Sequence, residues 1–264
     1  MHLAATRSVC GAIVLLVALV VGTSAAAQDA RVLLEGERGD ATPPRPAFDD
    51  AEHAERRARM VHEQIADRGV SDEAVLEAMR RVPRHRFVPG VSPARAYRDS
   101  PQPIGHGQTI SQPYIVAYMT ERLALEADDR VLEVGTGSAY QAAILAQLVD
   151  EVVSVEIIEA LAESAAGRLE ALGYRNVSVL HGDGYYGHEA RAPYDAIIVT
   201  AAAGHVPPPL VAQLRSGGRM VIPVGRSGWT QNLLLVEKDA EGEVSSRNLA
   251  SVRFVPLTGD HGTP

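Results

Sequence analysis

Apolar positions change their spacing several times along this chain. An uncharged stretch, 8–28, has its most apolar part at 11–21. Between 51 and 82 the apolar residues recur every three or four positions: Met60, Val61 and Ile65, then Val75, Leu76, Met79 and Val82. Such stripes predict two helices that each bury one face. Gly69 stops the first and Pro83 the second. Ser71 is placed to cap the second helix, and Asp72 and Glu73 favour its positive end.

From 130 onward, short runs of branched residues alternate with longer helical stretches. Strands are expected at 130–134, 152–156, 177–180, 196–200 and 219–222, with helices at 140–149, 158–172 and 208–214. Strands apolar on both sides belong to a parallel sheet covered by helices on both faces, so the fold class is α/β, doubly wound and mostly parallel. The runs 233–236 and 252–255, either side of a turn-rich 239–246, predict an antiparallel pair at one sheet edge. The proline-rich stretch 89–113 is expected to be a loop that wraps over something.

With 264 residues, of which 46% are hydrophobic, the chain holds one sizeable domain plus extensions. Arg7, the apolar core and Ala25-Ala26-Ala27 have the order of a secretory signal peptide cleaved after Ala27. The rival is an uncleaved membrane anchor, less favoured because the strongly apolar core is short. The expected layout is a signal peptide at 1–27, a disordered linker at 28–50, the catalytic domain at 51–258 and a tail at 259–264. A formal net charge of -8 argues against nucleic acid as a partner. Lys238 is the only lysine, Cys10 the only cysteine, and the nine histidines lack metal-ligand spacing. Schiff-base chemistry, a phosphate-loop lysine, disulfides and a metal are therefore not expected.

The chemistry gathers at the ends of three expected strands. Gly135-Thr136-Gly137 follows the first and leads into a helix, where glycines admit a ligand close to the backbone. Glu156 ends the second, suited to accept from both hydroxyls of a ribose, and Asp183-Gly184 follows the third, where Asp183 can accept from an adenine amino group. Together these describe an adenosine site. Tyr140 stands where a dinucleotide fold would ask for a third glycine, which favours S-adenosylmethionine over a nicotinamide cofactor, with an oxidoreductase as the alternative.

The segments 107–119, containing Thr109-Ile110-Ser111, the glycine turn, 155–158, 181–184, 194–202, 217–225 and 252–257 together resemble the protein-L-isoaspartate O-methyltransferase family, in order and spacing, from about 60 to 258. The resemblance implies methyl transfer from S-adenosylmethionine to the free α-carboxylate of L-isoaspartyl residues in damaged proteins and peptides, beginning repair through a succinimide. It implies Ser111 as the active-site residue, and Thr109, Ile110, Gly135, Thr136, Gly137, Glu156, Asp183 and Gly184 around the cofactor. The strand near 252–257 is expected to pair with an extended peptide. Two departures stand out. Ala139 replaces a usual glycine, which is strained if its φ is positive. The export segment is unusual for a family that is typically cytosolic. The expected location is the periplasm after cleavage, with no lasting membrane association, and the cytoplasm is the alternative. The chain is expected to act as a monomer. An adenosyl-binding protein without catalysis is a further alternative, and serine hydrolysis fares poorly because neither Ser138 nor Ser227 completes a Gly-x-Ser-x-Gly elbow.

Fractionation of cells making the full chain should recover it outside the inner membrane with Gln28 as its new N-terminus, and Leu16→Arg should block export by breaking the apolar core. Full-length protein in the membrane would instead identify an anchor.

Overall fold

The computed structural model describes residues 30–38, 51–259 and 261. The expected signal peptide at 1–27 lies outside them, as do 28, 29 and 39–50 of the expected linker and most of the expected tail. In chain order the elements are β1 (Arg31–Leu34), α1 (Ala51–Gln64), α2 (Glu73–Arg81), α3 (Pro93–Ala96), β2 (Gln102–Gly105), β3 (Gln108–Ile110) and α4 (Pro113–Leu123). They continue as β4 (Arg130–Val134), α5 (Tyr140–Leu145), β5 (Glu151–Glu156), α6 (Glu159–Ala171), β6 (Val177–His181), β7 (Tyr194–Val199), α7 (Pro208–Gln213), β8 (Leu214–Val224), β9 (Gln231–Lys238) and β10 (Val244–Val252).

The main sheet has the order β1-β6-β5-β4-β7-β8-β9-β10. Its middle, β6 through β8, is parallel, and β1, β9 and β10 pair antiparallel with their inner neighbours. The strand alternation sorts side chains cleanly between two faces. Val131, Val152, Val177 and Ile198 pack into the core beneath α1 to α6, whereas Leu132, Val134, Val153 and Ile197 pack on the other face with α7. Both faces are covered, as the continuous apolar runs require, but helix cover is heavily one-sided. The chain order reverses between the neighbours β4 and β7, so a crevice opens at the carboxyl ends of the central strands.

Several expectations are corrected. Asp72, not Ser71, caps α2: its carboxylate accepts from the N–H groups of Ala74 at 2.9 Å and Val75 at 3.2 Å. Ser71 instead donates its own N–H to Glu121 at 2.7 Å. The stretch 89–113 is not all loop. It holds α3 and the β2–β3 hairpin, whose two-residue turn has positive φ at His106 (52°) and Gly107 (71°), as a tight hairpin needs. Pro103 is tolerated because the hairpin has only two strands. The outer antiparallel strand is 244–252 rather than 252–255, with the turn confined to the residues before Val244. Within the expected linker, Arg31–Leu34 forms an edge strand, because β6 offers unpaired backbone groups and Leu33 and Leu34 find apolar contacts.

Replacing Asp72 by Ala should cost about 1 kcal/mol of folding stability through loss of the cap, while Ser71→Ala changes little. Urea unfolding of the two variants checks which residue caps the helix.

Candidate functional site

Backbone geometry at the tip of β4 leaves room for a ligand. Gly135 and Gly137 have φ of 94° and 53°, and a Cβ on Gly135 would stand 2.5 Å from Thr200 Oγ1. The Thr200 hydroxyl, just past β7, lies 3.1 Å from the Val134 carbonyl and 2.6 Å from that of Gly135. Glu156 at the end of β5 is nearly buried and accepts from Gly137 N–H at 2.8 Å and Ile158 N–H at 3.0 Å. Its remaining lone pairs face the crevice. Past β6, Asp183 accepts from Tyr185 N–H at 2.9 Å. A Cβ on Gly184 would collide with Val134, so glycine is needed there.

Three adjoining cavities share Thr109 and Thr200 as walls. The first is lined by Gly135, Gly137, Glu156 and Gly184, with Pro256 and Leu257 opposite. The second, about 360 Å³, opens outward between Ser111, Ile115, Arg253 and Phe254. A third lies behind the glycine turn and is lined by Ile110, Ser111, Glu133 and Thr136. Expected cofactor residues therefore flank both sides of the turn, and Ser111 stands between the outer and inner spaces. Asp183 lines none of the three. It sits beside them, where the backbone at Gly259 crosses its carboxylate. Of the expected peptide-pairing strand, the structure places 253–257 against the cavities. Val255 O and Leu257 N–H are bonded to Ala202, and Phe254 N–H to the Gln231 side chain, so one edge of this segment is taken and it forms part of the site's wall.

Four residues that hold the site went unnoticed in the sequence: Thr200, Arg84, Asp99 and Glu133. Arg84 is completely buried, donating from Nε to Ala96 O at 2.8 Å and from Nη2 to Ser111 O at 2.7 Å, with its guanidinium 4.8 Å from the Tyr140 ring centre. Burial lowers its pKa, but an arginine remains charged. Asp99 accepts from Gln112 Nε2 at 2.6 Å and Tyr114 N–H at 3.2 Å. Ser111 is thus fixed through the backbone on both sides, while its hydroxyl is bonded to none of the described residues. Arg84 sits in a run of basic residues, where it resembles a solvated charge. Glu133 left a clearer signal, as a lone acid in the apolar strand Val131-Leu132-Glu133-Val134.

Glu133 is fully buried, and desolvation pushes its pKa up to about 8 despite a hydrogen bond from Ser154. The Ala142 amide eases the charge slightly, yet Oε1 has no close hydrogen-bond partner among the described residues. Ser154 links Glu133 to Thr136, whose Oγ1 lies 2.6 Å from the Ser154 hydroxyl, so the three side chains form one buried hydrogen-bonded chain. Ala139 has φ 68°, so the strained alternative holds. That conformation costs a non-glycine residue roughly 1–2 kcal/mol. The buried methyl contributes about 0.8 kcal/mol, and alanine has less unfolded-state entropy to lose than glycine by about 0.4–1 kcal/mol. These effects nearly cancel, which explains why alanine is tolerated.

A model of the family described as protein-L-isoaspartate(D-aspartate) O-methyltransferase matches residues 55–262. Protein-L-isoaspartate O-methyltransferase 2 of Syntrophobacter fumaroxidans is 58% identical over 207 residues, covering 78% of this chain and 83% of that one. Protein-L-isoaspartate O-methyltransferase 1 of Nitrosospira multiformis is 57% identical over 213 residues, covering 80% and 90%. Among solved structures, a protein-L-isoaspartate O-methyltransferase superposes with a TM-score of 0.71 at 31% identity, over 78% of this chain and 67% of its own. A putative one from Plasmodium falciparum, in complex with S-adenosyl-L-homocysteine, superposes at 0.67 with 26% identity, over 76% and 98%.

Glu133 binds a proton in the folded protein up to about pH 8 but releases it near 4.5 when unfolded. Stability should therefore fall as pH rises between those values, by on the order of 1 kcal/mol per pH unit from this group. Urea unfolding at a series of pH values should show that decline in the native protein and a flatter profile in Glu133→Gln. Parallel profiles would mean that Glu133 titrates normally.

Proposed function

The chain belongs to the protein-L-isoaspartate(D-aspartate) O-methyltransferase family, and we propose that its Ser111 segment holds the substrate carboxylate while the tips of β4, β5 and β6 hold the cofactor. It is an S-adenosylmethionine-dependent enzyme that methylates the free α-carboxylate of L-isoaspartyl residues in damaged proteins and peptides, initiating their repair through a succinimide.

The residues present fit S-adenosylmethionine. Gly135 and Gly137 open the backbone, and Glu156 keeps free lone pairs on an already anchored carboxylate for a ribose. Gly184, beside Asp183, closes the adenine end. The unpaired Oε1 of Glu133, next to the inner cavity, suits the cationic amino end. When bound, the cofactor supplies a methyl group carried on a sulfonium. Thr109, Ile110 and Thr136 complete the walls around it.

The observation that carries the assignment of roles is that Thr109 and Thr200 belong to both the outer and the cofactor cavities, with Ser111 at their junction. An α-carboxylate, with a pKa of about 3.3–3.7, is already ionised at neutral pH and needs no general base. The Ser111 hydroxyl donates to one carboxylate oxygen and so turns the other toward the shared wall. Arg253, on the outer cavity, adds positive charge that favours an anionic group. Positioning of this kind is a large lever, since well-oriented reactants can gain roughly 7–11 kcal/mol. The open outer cavity and its backbone-rich wall accommodate peptides of varied sequence. We propose also that the mature chain begins at Gln28 and acts outside the inner membrane, on the strength of Arg7, the apolar core and Ala25-Ala26-Ala27.

Given tritiated S-adenosylmethionine, the protein lacking its first 27 residues should label an isoaspartyl peptide and not its aspartyl twin. Ser111→Ala should lower kcat about 10- to 100-fold, as expected for losing a hydrogen bond to a charged group worth about 1.5–3 kcal/mol. Equal labelling of both peptides, or an unchanged kcat in the variant, would refute the assignment.

A further inference from the structure

The family match begins at 55 and leaves residues 30–38 outside it, yet these residues are built into the sheet. β1 pairs with β6 in the register Arg31↔His181, Val32↔Leu180 and Leu34↔Val179, covering what would otherwise be an open sheet edge. Past the strand the chain stays on the same neighbour. Gly36 N–H donates to Ser178 Oγ at 2.9 Å and Glu37 N–H to Arg175 O at 2.6 Å. Gly36 lies so near that a Cβ would stand 2.7 Å from the Val177 carbonyl carbon. Arg31 pairs with Glu159 at 2.9 Å on α6, and Arg38 with the buried Glu151 at 3.5 Å. Exposed pairs such as the first contribute little alone. The backbone ladder, the close glycine contact and the packing of Leu33 and Leu34 on the core fix the segment in place.

What the segment touches is the cofactor end of the sheet. His181, the partner of Arg31, leads directly into Gly182 and Asp183. A Cβ on Gly182 would come within 3.1 Å of Ala30 Cβ, and Gly182 N–H donates to the Glu156 carbonyl at 2.9 Å. Ala30, Gly182 and Glu156 therefore form one continuous contact.

We propose that residues 30–38 are a positioning strap for the cofactor site. By pairing with β6 they hold the Gly182–Asp183 turn and the Glu156 end of β5 in one arrangement, and S-adenosylmethionine binds more tightly with the strap docked. The inference rests on the cofactor assignment above. Such coupling is reciprocal, so bound cofactor also holds the strap down.

Calorimetric titration with S-adenosylhomocysteine tests this in the chain from Gln28 onward and in its Gly36→Val and Leu34→Asp variants. Undocking should raise Kd on the order of 5- to 10-fold and leave kcat at saturating S-adenosylmethionine unchanged, a split that edge protection alone would not produce. In the native chain, S-adenosylhomocysteine should slow amide exchange at 31–37. A second variant lacking 30–38 should regain native affinity when a peptide of the 28–38 sequence is added, which separates loss of docking from loss of folding. Unaltered Kd in the variants, with no effect of the peptide, would overturn the strap while sparing the cofactor assignment. Failure of the intact chain to bind S-adenosylhomocysteine would overturn both.

Discussion

The carboxylate of Glu156 accepts from Gly137 N–H at 2.8 Å and Ile158 N–H at 3.0 Å, tying the turn after β4 to the approach of α6. Both donors sit near helix starts, where backbone N–H groups have no partner of their own helix. One side chain thus satisfies two elements and keeps their tips in register across the sheet. Removing that carboxylate would leave both part-buried donors unpaired, at a cost of about 1–3 kcal/mol. The positive φ values at Gly135, Gly137 and Ala139 persist in this setting because Thr200 braces the same turn from β7.

Around that clamp the protein buries ionisable groups whose hydrogen-bonding capacity it does not fully use. Arg84 makes two hydrogen bonds to carbonyl oxygens, and among the described residues its Nη1 and the Oε1 of Glu133 have no hydrogen-bond partner. Isolated buried charge is costly, and a carboxyl group answers by shifting its pKa whereas an arginine cannot. Glu133 accordingly keeps its proton up to about pH 8, and Arg84 is accommodated by carbonyls and the Tyr140 face. Both flank the segment around Ser111, where the outer and inner cavities meet. Such violations of local preference concentrate where a site must be held in one shape.

The apolar runs and stripes in the sequence determined the parallel sheet, the two early helices and the glycine turn with its acid and Asp-Gly partners, because side-chain periodicity and strand-end chemistry are local properties. The residues 107–119 and their companions also determined the family. Hidden from local pattern were α4, the β2–β3 hairpin and β1. Proline masked the hairpin, and a strand as short as β1 acquires meaning only when a sheet edge lies beside it. That Ser71 leaves the cap of α2 to Asp72, and that one edge of 252–257 is taken, turned on partners distant in sequence: the Glu121 carboxylate and the Ala202 backbone. The same holds for Arg84, whose neighbours in the chain suggest solvent but whose partners, Ala96 and Ser111, surround it with carbonyls. A sequence encodes each residue's chemistry and its local rhythm, while the energy of a buried charge or an unpaired edge depends on which distant atoms fill the space around it, and only the folded chain supplies those.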